Sequence, residues 1–441
     1  MSPPLNLINT SPKAPASADV VVIGGGIIGI FTAYYLAQRG LSVVVVEKGR
    51  IGAEQSSRNW GWCRQLNRDE RELPMATKAL ELWEQFAADT GEDTGFNRCG
   101  LLYLSDDEAQ IAQWERWHEF GKAAGVPTQV LSSREASERG QATARTWKGG
   151  IFSPTDGTAD PSKAAPAVAS ALMKLGGTVL QHCAARGIEL AGGRVSGVVT
   201  EAGIIKTRTA VLAGGAWASS FCRQLGISFP LATLRQSILR VSSEAQQLPR
   251  ALTTSRVSVT RRSDGSYGLA ISGRGRVDPT PQFLRYAPKF VPMFAKRWRN
   301  VAPGGLEGLR SGHETLKKWR LDQPTPMERM RILNPQPDAR TIRKTYERAT
   351  QLLPALRDAR IVNAWAGYVD CTYDGVPAIG EVPEVPGFVL AAGFSGHGFG
   401  IGPGAGYLVA DLITGARPFI DPTSLSPQRF RQSAWGKVAE F

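Results

Sequence analysis

The residues with the clearest chemical purpose form a glycine-rich turn close to the N-terminus. Gly24, Gly26 and Gly29 satisfy the pattern G-x-G-x-x-G, and the acidic Glu47 follows about 20 residues later. The first glycine of such a turn permits a tight bend, the second lets the backbone approach a pyrophosphate, and the third lets a helix pack closely on a strand. A carboxylate at this spacing can bind the hydroxyls of an adenosine ribose and disfavours a 2′-phosphate. These residues therefore predict a dinucleotide site that does not take NADP.

The turn needs a strand before it and a helix after it, and the sequence contains both. Residues 20–23 are a continuous β-branched apolar run, typical of a strand buried on both faces of a parallel sheet. Residues 30–39 have apolar side chains at helical spacing and end at Gly40, and residues 42–46 form a second buried strand. The N-terminus of the helix offers unpaired N–H groups to the phosphates. The pattern alone does not separate FAD from NAD.

Further segments with distinctive sequences follow in a fixed order along the chain. They are residues 55–64, 211–217, 374–380 and 391–400. Together with the turn, this set resembles the D-amino-acid oxidase family of flavoenzymes, which includes glycine oxidase, sarcosine oxidase and D-amino-acid dehydrogenase. The likeness extends from residue 19 to about residue 415. It implies bound FAD and oxidation of a C–N bond in an amine, an N-substituted amino acid or an amino acid.

The resemblance also implies an α/β fold of two domains. A Rossmann-like, discontinuous FAD-binding domain is expected at residues 15–75, 148–232 and 362–441. An α+β substrate domain with an antiparallel sheet is expected at residues 76–147 and 233–361.

Carried over position by position, the resemblance implies five groups of FAD contacts. Backbone N–H donors and a helix start in the last group would stabilise negative charge on the reduced flavin. As an alternative, Ser57 and Arg58 could cap a following helix. The expected contacts are Gly24, Gly26, Ile27, Ile28 and Gly29 at the turn; Glu47 and Lys48 after the second strand; Ser56, Ser57 and Arg58 beside the pyrophosphate; Ala185, Ala213, Gly214 and Trp217 near the adenine; and Gly396, His397, Gly398, Phe399 and Gly400 around the pyrimidine end of the ring.

Three residues are candidates for the reaction site: Arg64, Asp370 and His397. Glycine oxidase and D-amino-acid oxidase hold the substrate carboxylate with an arginine where this sequence has Val369. The resemblance aligns Arg64 with an active-site arginine, which could hold a carboxylate or tune the flavin. Asp370 would favour a cationic amine if it faces the pocket; otherwise it is a turn residue that points away. His397 is expected to pack beside the flavin, with a role as a base as the alternative.

The mode of FAD attachment follows from a missing cysteine. Sarcosine oxidase links its flavin to a cysteine that aligns with Gly367, four residues from Cys371 in this sequence. Non-covalent FAD is therefore expected, with a link through Cys371 or Cys63 as the alternative.

Composition limits the partners. The formal net charge is +13, but no nucleic-acid motif accompanies it, so no nucleic-acid partner is expected. The five cysteines contain no C-x-x-C and the four histidines are scattered, which indicates neither a disulfide framework nor a metal site. The absence of a signal-like or membrane-spanning stretch predicts a cytoplasmic protein.

The electron acceptor remains open between oxygen and a quinone or electron carrier. A flavoprotein dehydrogenase using the latter is one alternative function, and a non-catalytic flavin-binding subunit is another. Residues 284–301 mix aromatic and basic side chains, and such segments can lie on the inner, anionic face of a membrane. Pro288 and Pro292 argue against one long helix there. The alternative is that short helices pack their aromatic side chains on the substrate domain.

Overall fold

The computed structural model describes residues 2–242, 248–271, 273, 275–306, 308, 318–433 and 435–439. The remaining residues of the predicted domains lie outside this description. The helices are α1 (Ile27–Gln38), α2 (Leu73–Thr90), α3 (Glu108–Ala123), α4 (Ser133–Arg139), α5 (Ala164–Lys174), α6 (Ala218–Gln224), α7 (Pro281–Arg297), α8 (Pro326–Arg329), α9 (Ala339–Leu352) and α10 (Gly398–Thr414). The strands are β1 (Val20–Ile23), β2 (Val43–Val46), β3 (Trp62–Cys63), β4 (Leu101–Ser105), β5 (Gln129–Leu131), β6 (Gly149–Ser153), β7 (Gly157–Thr158), β8 (Thr178–Leu180), β9 (Ala185–Ala191), β10 (Arg194–Thr200), β11 (Gly203–Lys206), β12 (Thr209–Leu212), β13 (Ala232–Ser242), β14 (Ala251–Thr254), β15 (Ser258–Arg261), β16 (Tyr267–Ala270), β17 (Gly275–Val277), β18 (Val301–Pro303), β19 (Arg360–Cys371), β20 (Ala378–Glu381) and β21 (Phe388–Ala392).

The N-terminal strand lies in the middle of a six-stranded sheet with the order β20-β21-β12-β1-β2-β8. Strand β1 pairs in parallel with β12 and β2, and only the edge strand β20 is antiparallel. Val20 and Val22 belong to one buried core and Val21 and Ile23 to another, so β1 is buried on both faces, as its apolar run predicts. Helix α1 begins at Ile27, about one turn earlier than expected from the sequence, because the glycine turn is very tight.

The second large sheet is mostly antiparallel. Its order is β18-β17-β13-β16-β15-β14-β4-β6-β5, and β19 pairs with β13 along its whole length, from Ala232 opposite Cys371 to Ser242 opposite Arg360. A parallel sheet plus an antiparallel sheet confirms the predicted fold class. The predicted domain boundaries stay a prediction; the one at residues 361/362 falls inside β19.

Helix α10 packs against α1 and α2 through small residues. A Cβ atom on Gly406 would lie 2.7 Å from the carbonyl carbon of Phe31, and one on Gly404 would lie 2.5 Å from the carbonyl oxygen of Met75. These glycines therefore serve close packing of helices. The packing brings the N-termini of α1 and α10 to the same side of the parallel sheet.

The prediction that Pro288 and Pro292 prevent one long helix was wrong, because α7 runs without a break from Pro281 to Arg297. The Thr280 side chain caps it by accepting a hydrogen bond from the N–H of Phe283 at 3.1 Å. The prolines lie four residues apart and so leave both missing hydrogen bonds on one face. Burial of Tyr286 and Phe290 in the second core offsets that loss. No helix in the described part of the chain has both the length and the apolar character needed to cross a membrane.

Candidate functional site

A cavity of about 1150 Å³ extends from the carboxyl ends of β1, β2 and β12 to the end of β19. Ligands of doubly wound folds bind at this edge of the sheet. Ordinary small-molecule pockets measure roughly 300–1000 Å³, so this cavity has room for a dinucleotide and a small substrate together. Every cofactor residue predicted from the sequence lines it, except Gly29 and Ser57.

The glycine turn forms one end of the cavity. Gly24 has φ +109°, and a Cβ there would lie 2.5 Å from the carbonyl oxygen of Ala213. A Cβ on Gly29 would lie 2.0 Å from the carbonyl oxygen of Gly24, which explains why Gly29 supports the turn from outside the cavity. Gly26 is the N-cap residue of α1 and offers no side chain of its own to the helix start, and the first turn contains no acidic residue. The start of this helix is therefore suited to bind phosphate.

Glu47 lies beside the turn. Its carboxylate accepts hydrogen bonds from the N–H of Gly25 at 2.8 Å and of Gly49 at 2.7 Å. Burial raises the pKa of Glu47, while the charge of Lys48 and the two N–H groups oppose this effect. A carboxylate has about four lone-pair sites, so oxygens held by two N–H groups can still accept from ribose hydroxyls. The arrangement fits the ribose role, which stays a prediction.

We expect Glu47→Gln to weaken FAD retention by about ten- to a hundred-fold, because a hydrogen bond to a charged group contributes roughly 1.5–3 kcal/mol. The fold should be unaffected, since a Gln side chain can still accept one of the two backbone hydrogen bonds. Fluorescence of FAD released on dilution measures the effect. A variant that holds FAD as tightly as the wild type would remove the ribose role.

Lys48 belongs to a small cluster at the same end of the cavity. Its ammonium lies 4.7 Å from the ring centroid of Trp217, pairs with Glu54 and donates to the carbonyl of Arg331 at 2.9 Å. Glu54 also accepts from the N–H of Leu333 at 3.0 Å. Sequence reasoning missed Glu54, which lies in one cluster with the predicted contacts Lys48 and Trp217.

Ser56, Ser57 and Arg58, which follow the second strand, have different contacts. Ser56 accepts a hydrogen bond from the N–H of Ile27 at 2.8 Å, and Arg58 donates to the carbonyl of Ala366 at 2.7 Å. The expectation that Ser57 contacts FAD is not met, because Ser57 is fully buried away from the cavity. The alternative that Ser57 and Arg58 cap a following helix was wrong, since the next helix starts only at Leu73.

His397 lies at the other end of the cavity, at the start of α10. Its Nδ1 lies 2.8 Å from a carboxylate oxygen of Glu72, a fully buried residue 325 positions away in sequence. Burial and the nearby charge of Arg68 lower the pKa of His397 to about 4, although Glu72 opposes the shift. A neutral imidazole donates from Nδ1 to Glu72 and keeps Nε2 as an acceptor. So low a pKa argues for orientation rather than for a role as a base.

Arg64 and Arg68 line the same end. The loop that carries them is held by Asp156, whose carboxylate accepts from the N–H of Gln65 at 2.7 Å and of Leu66 at 3.1 Å. Burial raises the pKa of Asp156, and these two N–H groups act against the rise. Neither Arg68 nor Asp156 was predicted from the sequence.

Asp370 lines the cavity from within β19, so the alternative that it is a turn residue pointing away was wrong. One oxygen of its carboxylate accepts a hydrogen bond from the N–H of Gly393 at 2.8 Å, which holds the connection between β21 and α10. Burial raises the pKa of Asp370 to about 6. The carboxylate that is predicted to attract a cationic amine therefore also holds the loop at Gly393.

Four aromatic rings form a continuous wall of the cavity that sequence reasoning did not find. The centroid distances are 4.9 Å from Trp60 to Trp62, 6.0 Å from Trp62 to Tyr103, and 5.7 Å from Tyr103 to Trp114. All four residues line the cavity. Such a wall favours a substrate with an apolar or aromatic part.

The cysteines bear on flavin attachment. Gly367 lines the cavity, and a Cβ there would already lie 2.3 Å from the Gln55 side-chain oxygen. Cys63 is fully buried and does not line the cavity, whereas Cys371 does. Burial raises the pKa of Cys371 to about 12, which keeps it a protonated and unreactive thiol. In the described ranges, no cluster of His, Cys, Asp or Glu is arranged to hold a metal ion.

Residues 19–412 match the family model for the DAO FAD-dependent oxidoreductases. The chain belongs to this family. The resemblance seen in the sequence is thereby confirmed, and FAD is the cofactor of the family. The glycine turn, the start of α1 without an acidic residue and the large cavity fit that cofactor.

Individual proteins support the assignment. The chain is 27% identical to mitochondrial sarcosine dehydrogenase of Mus musculus, over 96% of this chain and 42% of the relative. It therefore spans about two fifths of the length of that relative. It is 27% identical to glycine oxidase of Pseudomonas putida, over 93% of this chain and 99% of the relative. The structure of L-amino acid deaminase from Proteus myxofaciens matches with a TM-score of 0.92 and 30% identity, over 98% of this chain and 97% of the other.

Proposed function

We propose that the chain binds FAD non-covalently and oxidises the C–N bond of an amine, an N-substituted amino acid or an amino acid to an imine. The observation that carries the proposal is the continuity of the cavity. One volume of about 1150 Å³ joins the dinucleotide turn at Gly24 to Val369 and His397. FAD, when bound, supplies the hydride acceptor for this chemistry. Two of the similar proteins, glycine oxidase and L-amino acid deaminase, are named for reactions of amino acids.

The residues of the chain contribute orientation and a protected environment. The aromatic wall of Trp60, Trp62, Tyr103 and Trp114 excludes water and positions an apolar side chain of the substrate. Arg64 contributes positive charge at the reaction end of the cavity, suited to a carboxylate or to negative charge on the flavin. His397 is neutral and offers an acceptor. Holding the reacting atoms in line supplies much of the rate in reactions of this kind.

The test is an anaerobic screen of the holoprotein with amines, N-methyl amino acids, cyclic imino acids and common amino acids. Rapid loss of the visible flavin absorption with one class supports the proposal and excludes a non-catalytic flavin-binding subunit. Fast recovery of the colour in air would identify an oxidase. Slow recovery in air, with fast recovery on addition of a quinone, would identify a dehydrogenase.

We infer a cytoplasmic location with peripheral contact to the inner face of a membrane through residues 284–301. The five cysteines form no disulfide, which fits a reducing compartment. Leu284, Phe294 and Trp298 are each more than half exposed, and Arg285 and Arg299 add positive charge beside them. Co-sedimentation with anionic but not with neutral vesicles would support this contact. Failure to bind either kind of vesicle would contradict it.

Acid precipitation should release all the FAD into the supernatant, because position 367 is a glycine and Cys371 is a protonated thiol. Absorbance of the supernatant and of the pellet measures the partition. Yellow colour retained in a washed pellet would show a covalent link and contradict this part of the proposal.

A further inference from the structure

Residues 319–334 cross the edge of the cavity at the end where the adenine contacts are predicted, and we call this segment the strap. It contains helix α8 and belongs to the predicted substrate domain, not to the parallel sheet. Met327 of the strap is buried, lines the cavity and packs in the same core as Ala185 and Trp217. The strap therefore forms part of the wall around that end of the cavity.

One side of the strap is bound to strand β9. The Glu328 carboxylate accepts two hydrogen bonds from the Arg186 guanidinium, at 2.9 and 3.0 Å. The Trp319 indole donates to the carbonyl of Arg186 at 2.7 Å. A Cβ atom on Gly187 would lie 2.6 Å from the side chain of Leu321, so the two backbones run close together. These contacts fix the strap beside the start of β9, which lines the cavity.

The other side of the strap is bound near the end of β2. The Arg331 guanidinium donates to the carbonyl of Lys48 at 3.0 Å and pairs with Glu201 at 2.6 Å. The Lys48 ammonium donates back to the carbonyl of Arg331 at 2.9 Å. The N–H of Leu333 donates to the Glu54 carboxylate at 3.0 Å. Because Lys48 and Glu54 also line the cavity, the strap is fixed on both sides of the cavity and bridges its edge.

The ion pairs that hold the strap lie close to the surface. The side chains of Arg186 and Glu328 are 19% and 9% exposed, and those of Arg331 and Glu201 are 33% and 17% exposed. Water can replace the hydrogen bonds of such pairs, so they are much easier to break than a packed core. Breaking them would free the strap and leave the parallel sheet and the glycine turn in place.

We propose that the strap is a gate for FAD, which opens when the cofactor enters or leaves and is held closed by Arg331 and Glu328. This rests on the part of the proposed function that concerns FAD binding, and not on the reaction. While the closed form predominates, loosening the strap multiplies the small open population, so the rates of release and uptake rise together. The dissociation constant then stays nearly the same, because it depends on the contacts of the closed form.

The experiment measures FAD release and FAD affinity in separate assays on the holoprotein. Release is followed by the fluorescence of free FAD after large dilution, and the dissociation constant is measured by equilibrium dialysis. Arg331→Met should release FAD about five- to fifty-fold faster than wild type, with a dissociation constant within about three-fold of the wild-type value. Arg320→Met is the control and should behave as wild type, because Arg320 is exposed and pairs with Asp322 inside the strap itself.

Glu328→Gln provides a second variant if Arg331→Met does not fold. Its side-chain oxygen can still accept from the N–H of Thr325, but it has no charge to pair with Arg186. It should also release FAD faster at nearly unchanged affinity.

Faster release matched by an equal loss of affinity would overturn the proposal, because Arg331 and Glu328 would then hold FAD and not gate it. Release at the wild-type rate from both variants would overturn it as well. A wild-type protein that retains no FAD would instead contradict the proposed function, so the two failures are distinguishable.

Discussion

Gly26→Ala should yield a folded protein that binds FAD at least a hundred-fold more weakly than wild type. Gly26 has φ −72° and ψ 173°, a conformation that any residue can adopt. The atom nearest to a Cβ added there would be the side-chain oxygen of Ser56, at 3.3 Å. The apoprotein should therefore tolerate the change. The added methyl group would occupy the place where the backbone must approach a pyrophosphate. FAD titration and thermal unfolding of the apoprotein measure the two effects separately.

Gly29→Ala is the informative contrast at the same turn. Its Cβ would lie 2.0 Å from the carbonyl oxygen of Gly24, so the apoprotein itself should lose roughly 1–3 kcal/mol of unfolding free energy or more. Gly305→Ala is a control, since a Cβ there has nothing within 4 Å. If Gly26→Ala bound FAD normally, the glycine turn would not hold the pyrophosphate.

Asp370→Asn should stabilise the protein at neutral pH. Burial raises the pKa of this carboxyl from 3.8 to about 6 in the folded state, which corresponds to about 3 kcal/mol against the ionised form. The folded state therefore binds the proton more tightly than the unfolded state. Wild-type stability falls as pH rises from about 4 to about 6, and the loss persists at higher pH. An asparagine can still accept from the N–H of Gly393 and has no charge to bury.

Unfolding temperatures of the two proteins at pH 4 and pH 7 check this expectation. They should nearly coincide at pH 4 and differ by several degrees at pH 7, with the variant higher. Asp421→Asn, at an exposed side chain, should give no such gain at pH 7. A variant less stable than wild type at both pH values would show that the ionised carboxylate is needed to hold the loop at Gly393.

Local sequence patterns predict the fold at the dinucleotide end of the cavity well, because that fold depends on residues close together in the chain. The run Val20–Ile23, the three glycines and Glu47 lie within one strand-turn-helix-strand unit, and each role follows from backbone conformation or spacing. The same reasoning failed at α7. There the local penalty of Pro288 and Pro292 is outweighed by a cap at Thr280 and by burial of aromatic side chains, which depends on tertiary packing.

The reaction end could not be predicted in the same way. Glu72 and His397 are 325 residues apart and meet only because α10 packs on α2 through its glycines. The loop of Arg64 and Arg68 is held by Asp156 through backbone N–H groups, which leave no trace in a sequence pattern. The four rings of the aromatic wall come from a loop (Trp60), two strands (Trp62 and Tyr103) and a helix (Trp114). Such contacts follow from the assembled fold.

The most direct test of the central claim is to mix holoprotein with amino acids under nitrogen and record the visible flavin spectrum. The account predicts that at least one amino or imino acid with an apolar side chain reduces the flavin within the mixing experiment. A protein that binds FAD in this cavity, yet keeps its oxidised spectrum with every amine and amino acid offered, would contradict the account.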